Sequence, residues 1–119
     1  MRHLGLVLRD NRGLQHVSLQ YNHLEGTQEI AAALKQNKTL LTLNLSHCYL
    51  TDDQCLPFSG GLKHNDTLQE LDLSNNSLTD RGANTLLLSL KSNLHLKSLR
   101  YIYCFSHWIY IFLTSSVQL

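Results

Sequence analysis

Apolar residues recur along this chain at fixed intervals and form a repeated pattern. Its form is L-x-x-L-x-L-x-x-N/C-x-L, with valine once in place of leucine. Copies begin at Leu14, Leu40, Leu68 and Leu96, so that successive starts are 26, 28 and 28 residues apart. The fourth copy departs from the pattern after Leu99. An internal period of about 20–50 residues is typical of a repeat architecture, in which each unit buries its apolar face against its neighbours.

Each repeat is predicted to contain one strand and one helix. Apolar and polar residues alternate at residues 43–45 and 71–73, which indicates a short strand with one buried face. Farther along the third repeat, apolar side chains recur at the spacing of one helix face: Ala83, Leu86, Leu87 and Leu90. In the second repeat Pro57 and two glycines weaken the matching pattern, so that helix is expected to be short or irregular.

Polar residues occupy the places where turns and helix starts are predicted. An amide or a thiol follows each strand, where it can satisfy backbone groups that the turn leaves free: Asn22, Cys48, Asn76 and Cys104. Residues 51–54 fit a capping box, and Thr79 is suited to cap the following helix. A second ladder, L-x-x-N-x-x-L, ends at each repeat start and is centred on Asn11, Asn37, Asn65 and Asn93.

These residues resemble a leucine-rich repeat protein of the helix-containing, ribonuclease-inhibitor-like type. The resemblance covers residues 4–99. It implies an α/β fold, a solenoid with a short parallel sheet on its concave side and helices on its convex side. The same repeat type occurs in NOD-like receptors, tropomodulins, the Ran GTPase-activating protein and several axonemal proteins, and the motif selects none of them.

The pattern divides the chain into two parts. Residues 1–100 hold about three and a half repeats, whereas residues 101–119 form a hydrophobic, aromatic tail without Lys, Arg, Asp or Glu. Three origins stay open for the tail: a truncated, spliced or read-through end, a cap in which Phe105, Trp108 and Ile109 cover the last coil, and a membrane segment. The apolar run is shorter than the roughly 20 residues of a spanning helix. Without a capping module, the chain is expected to be a fragment or a truncated isoform.

Composition and motif searches exclude several functions. Ten Lys and Arg residues stand against nine Asp and Glu residues, which argues against a nucleic-acid partner or a polybasic membrane surface. Three cysteines without a C-x-x-C spacing argue against a zinc site and a disulfide framework, and favour a reducing compartment. No motif for a catalytic nucleophile or for a phosphate-binding loop is present. We therefore expect a cytoplasmic protein without catalytic residues, cofactor or metal.

The polar residues on and just after the strands remain as functional candidates. Solenoids bind extended partners on such surfaces, so we expect a non-enzymatic module that binds another protein on its concave face. The candidate partner-binding residues are His16, Ser18, Gln20, Tyr21, Thr42, Asn44, Ser46, Glu70, Asp72 and Ser74. Two alternatives stay open, namely a regulator of a GTPase or another enzyme, and a non-functional truncated isoform.

Overall fold

Helices and strands alternate along the chain in the computed structural model, whose described residues are 2–24, 27–91, 95–103 and 107–112. The elements follow in the order α1 (Arg2–Asp10), β1 (His16–Ser18), α2 (Thr27–Leu34), β2 (Thr42–Asn44), α3 (Asp52–Lys63), β3 (Glu70–Asp72), α4 (Asp80–Leu90), β4 (Ser98–Tyr103) and β5 (His107–Phe112). Each helix packs on the next, α1 on α2, α2 on α3 and α3 on α4. None of these helices is long and apolar enough to cross a membrane.

The strands form one sheet in chain order, and β1 to β4 are parallel. Their register follows the repeat alignment, because Val17 pairs with Leu43, Leu43 with Leu71, and Leu71 with Leu99. The fold is therefore the predicted α/β solenoid. We number its coils from the repeat starts: coil 1 is 14–39, coil 2 is 40–67 and coil 3 is 68–95.

The last strand departs from the repeat. β5 pairs with β4 in the antiparallel sense, with Tyr103 opposite His107 and Ser98 opposite Phe112. This pairing gives partners to backbone groups along β4, which an edge strand would leave exposed. Of the residues predicted to form a cap, Trp108 and Ile109 belong to β5, whereas Phe105 lies outside the described residues.

The leucine ladder forms the core of the solenoid. In the inner strands Leu43 and Leu71 are each only 1% exposed. Burial decreases in coil 1, where Leu14 is 43% exposed and Val17 is half-buried, because β1 is an edge strand of the sheet. The interior coils therefore supply most of the apolar burial that stabilises the chain.

Buried asparagines tie consecutive coils together. Nδ2 of Asn37 donates to the carbonyl oxygen of Leu8 at 2.6 Å, and its Oδ1 accepts from the N–H of Leu40 at 2.7 Å. Asn65 repeats this arrangement one coil later, where its Nδ2 donates to the carbonyl oxygen of Leu34 at 2.7 Å. Each amide thus satisfies backbone groups at a helix end and at a strand start, which buried polar groups require.

The turns after the strands are closed by the predicted residues. Nδ2 of Asn76 donates to the carbonyl oxygen of Leu45 at 2.9 Å, and its Oδ1 accepts from the N–H of Cys48 at 2.8 Å. The Cys48 thiol donates to the carbonyl oxygen of Leu19 at 3.1 Å. Cys104, the fourth residue of this set, lies outside the described residues. These bonds also cross from one coil to the one before it.

Helix α3 corrects one prediction, because it is 12 residues long and neither short nor interrupted. Pro57 lies inside it and removes one backbone donor, whose acceptor would be the carbonyl group of Asp53, four residues earlier. Asp53 is exposed, so water can take the place of that donor. Phe58 and Leu62 are buried on the inner face of α3, and their burial favours the helix despite the proline.

Candidate functional site

The outward side chains of the parallel strands stand in two rows across the sheet, which we call the strand face. They line an open hollow of about 430 Å³. One row contains His16, Thr42, Glu70 and Ser98, and the other contains Ser18, Asn44, Asp72 and Arg100. The parallel register therefore brings together six of the ten candidate residues on one surface.

Contacts on the strand face join neighbouring coils. Nδ1 of His16 lies 2.9 Å from Oγ1 of Thr42, and a guanidinium nitrogen of Arg100 lies 3.9 Å from a carboxylate oxygen of Asp72. The Glu70 side chain is exposed beside them. Arg100 was missed from the sequence, because the repeat pattern was followed only to Leu99. The face thus combines carboxylates, one guanidinium and uncharged polar groups.

Two residues of the strand face also stabilise the turns. Oδ1 of Asp72 accepts from the N–H of Ser74 at 2.9 Å and from its hydroxyl at 2.5 Å. Asn44 makes the same two bonds with Ser46, at 3.0 and 2.7 Å. Short polar side chains commonly bond the backbone two residues ahead in this way. Substitution of Asn44 or Asp72 should therefore change stability as well as the surface.

Ser46 and Ser74 do not lie on the open surface. They are 4% and 7% exposed, and each serine hydroxyl donates to the side chain two residues earlier, Asn44 or Asp72, within its turn. Gln20 remains exposed, and its Oε1 lies 3.5 Å from Oγ of Ser46. Both serines are therefore poorly placed to contact a partner, unlike the sequence-based expectation.

The turns after β1 and β2 carry four aromatic or imidazole rings, which we call the turn cluster: Tyr21, His23, His47 and Tyr49. The rings of Tyr21 and His47 stack with centroids 4.2 Å apart and planes 13° apart. Those of His23 and Tyr49 are 5.2 Å apart and tilted by 56°. Sequence analysis named only Tyr21. Alignment of coils 1 and 2 matches position 21 with 47 and position 23 with 49. This alignment could have identified the other three rings from the sequence.

The two ends of the strands differ in charge. Where the strands begin, Arg12, Lys38 and Lys97 line a second hollow of about 480 Å³. Lys38 pairs with Asp66 at 3.1 Å, and this hydrogen bond lowers the pKa of the carboxyl group. Each parallel strand begins after the C-terminus of a helix, where basic groups are favourable, whereas acidic groups are favourable near helix N-termini.

Carboxylates cluster instead where α3 and α4 begin. Asp52 accepts from the N–H of Thr79 at 2.8 Å and from its hydroxyl, so the Thr79 side chain contacts the neighbouring coil instead of capping its own helix. Burial raises the pKa of Asp52, but the bonds from Thr79 and the charge of Arg81 together lower it below its usual value. The Thr51 N–H donates to Oε1 of Gln54 at 2.6 Å, as expected for the capping box.

Other reactive groups do not converge in the described residues. There, no three His, Cys, Asp or Glu side chains come together in a way that could hold a metal ion. Cys48 and Cys55 are buried free thiols, and burial raises the pKa of Cys55 to about 12. A raised pKa disfavours the thiolate, which is the reactive form. What the described residues present on the strand face is a set of polar side chains.

Comparison with known proteins agrees with this architecture. A family model described as leucine-rich repeat matches residues 36–53 and 64–87. Similar solved structures include actin-binding site 2 of leiomodin-1, with a TM-score of 0.76 and 20% identity. They also include the tropomodulin C-terminal domain of Caenorhabditis elegans, with a TM-score of 0.74 and 17% identity. The chain therefore contains leucine-rich repeats.

The structural likeness covers 82% of this chain in both cases. In turn, the chain spans 59% of the leiomodin-1 structure and 61% of the tropomodulin structure. At these identities the likeness establishes the fold alone, which is that of a leucine-rich-repeat solenoid. Sequence comparison with curated proteins gives no match.

Proposed function

We propose that this chain is a non-enzymatic protein–protein interaction module, and that its strand face binds the partner. The supporting observation is the pair of polar rows on β1 to β4, which stand over an open hollow. Small-molecule sites are usually enclosed and largely apolar, whereas this surface is open and polar. Extended surfaces of this kind are the ones that solenoids use to bind proteins.

The residues best placed for this contact are those whose side chains are both outward and accessible. His16, Ser18 and Glu70 are exposed on the strand face, and Thr42 and Arg100 lie beside them. Asn44 and Asp72 also lie on the strand face, but their side chains accept hydrogen bonds that stabilise the turns. The accessible residues should therefore determine affinity with little effect on the fold.

Actin is the first partner to test, because one similar structure is an actin-binding site of leiomodin-1. The experiment measures binding of the full chain to actin monomers and filaments, with Glu70→Lys as the surface variant. Gln28→Lys, at an exposed position of α2, introduces the same lysine side chain on the helix side as a control. We expect Glu70→Lys to weaken binding about tenfold and Gln28→Lys to leave it unchanged.

A second experiment tests the strand face without assuming the partner. A photo-crosslinking amino acid replaces His16 in one variant and Gln28 in another, and each is exposed to a cytoplasmic extract. We expect crosslinked proteins from position 16 only. Crosslinking that is equal or stronger from position 28 would identify the helix side as the interface and contradict the proposal.

The buried free thiols Cys48 and Cys55 suit the reducing cytoplasm, where we place the protein.

A further inference from the structure

We propose that the turn cluster is a second binding surface, and that it takes arginine side chains from an extended peptide segment of a protein partner. The cluster follows the ends of β1 and β2, and its residues do not line the hollow of the strand face. The proposal goes beyond the strand face and holds whether or not that face binds a partner.

The two tyrosine rings are exposed in spite of their contacts with the histidines. Tyr21 is 71% exposed and Tyr49 is 73% exposed, although Tyr21 stacks on His47 and Tyr49 packs against His23. Pairing orders the rings before any ligand binds, so little side-chain entropy remains to be lost on binding. Two ordered pairs, each of which joins coil 1 to coil 2, form an aromatic platform with exposed tyrosines.

The backbone under the platform is unfavourable for its two tyrosines. Tyr21 and Tyr49 have φ values of 63° and 60°, in the left-handed region that bulky side chains seldom adopt, whereas histidine adopts the φ of 53° found at His47 more readily. Coil 3 has Asn75 at the position of Tyr21 and His47, with φ of 57°. Asparagine is among the residues that tolerate this conformation best. Burial does not explain tyrosine at such positions, and departures of this kind are expected at functional sites, which supports a role in binding.

Charge around the platform favours a cation. All four rings of the turn cluster lie in residues 13–34 and 39–62, and these two segments contain no lysine or arginine. The carboxylates of Asp52 and Asp53 lie at the start of α3, which follows the second of these turns, and Asp80 lies at the start of α4 in the next coil. Arg81 pairs with Asp52 and Asp53, at 3.6 Å from each. A guanidinium group is attracted to ring faces and to carboxylates, and its planar shape allows it to stack. An acidic segment would instead favour the opposite, basic end of the strands.

The experiment compares two peptides by NMR titration of the full chain. One contains four arginine–glycine repeats, and the other has neutral citrulline, which is close to arginine in shape, at each arginine. We expect the arginine peptide to shift the ring signals of Tyr21, His23, His47 and Tyr49, and to bind about fivefold more tightly than the citrulline peptide. Exposed cation–π contacts have about this strength.

The matched variant is Tyr21→Asn combined with Tyr49→Asn, which should fold because asparagine accepts the left-handed backbone. It should lose the preference for arginine over citrulline, whereas Leu88→Ala, at an exposed position of α4, should keep it. The proposal is overturned by equal binding of the two peptides, by undiminished preference in the asparagine variant, or by shifts confined to Asp53 and Asp80. Circular dichroism spectra of both variants verify that they are folded.

Discussion

Asn65 offers the sharpest test of how the coils are held together. Its Nδ2 donates to the carbonyl oxygens of Leu34 at 2.7 Å and Asn37 at 3.3 Å. Its Oδ1 accepts from the N–H groups of Leu68 at 2.7 Å and Thr67 at 3.0 Å. Replacement by alanine removes these bonds and leaves the backbone partners in place.

The expected cost follows from burial at this position. Asn65 is 3% exposed, so water has little access to the groups that lose their partner. A buried backbone group without a partner costs about 1–3 kcal/mol. The two shortest bonds alone then predict a loss of about 2–6 kcal/mol, and local relaxation reduces it. We expect Asn65→Ala to lower the free energy of unfolding by about 3 kcal/mol, a large share of the 5–15 kcal/mol typical of a domain.

Asn11 is the matched control, because its Oδ1 accepts from the N–H groups of Gly13 and Leu14 at 2.8 and 2.7 Å. Both of those residues are exposed, so water can replace the lost bonds. Asn11→Ala should therefore cost about 1 kcal/mol or less. Urea unfolding followed by circular dichroism measures both variants. Equal losses for Asn11→Ala and Asn65→Ala, or a loss below about 1 kcal/mol for Asn65→Ala, would refute the reasoning.

Two further predictions concern α3. A Cβ atom at Gly61 would lie 2.4 Å from the carbonyl oxygen of Ala31, so Gly61→Ala should cost about 1–3 kcal/mol. At Gly60 the nearest atom is 4.0 Å away, so Gly60→Ala should stabilise the helix by about 0.5–1 kcal/mol in a thermal melt; two changes of the same sign would contradict this packing. Burial raises the pKa of Cys55 from 9.0 to about 12. Between these two values the unfolded chain loses the thiol proton and the folded chain keeps it, so the free energy of unfolding should fall as the pH rises from 9.0 towards about 12. Urea unfolding across that range should show a weaker pH dependence in Cys55→Ala, and an equal dependence would disprove the assignment.

The strand register was predictable from the sequence because a solenoid stacks equivalent residues. A period of 26 or 28 residues places Leu43 beside Leu71 without any knowledge of distant contacts. The length of α3 was not predictable in this way, because a local rule for Pro57 competes with burial that only the neighbouring coils provide. Arg100 was missed for the opposite reason, since a strand continued beyond the recognisable motif.

The candidate surface was predictable in part. Alternation along the strands correctly placed His16 and Glu70 outward. The burial of Ser46 and Ser74 was not foreseen, because it depends on bonds from the residue two positions earlier within each turn. The turn cluster was incomplete for a related reason: a left-handed backbone at tyrosine or histidine leaves no mark in the apolar pattern.

Comparison among the coils separates what the fold needs from what it leaves free. Asn37 and Asn65 make the same contacts one coil apart, so those contacts belong to the architecture. The turn position after each strand has Tyr21, His47 and Asn75 with the same left-handed backbone. Because asparagine is sufficient there in coil 3, the fold does not require the rings of Tyr21 and His47. Positions that depart from the least strained residue without gaining burial are therefore the ones at which we propose a role in binding.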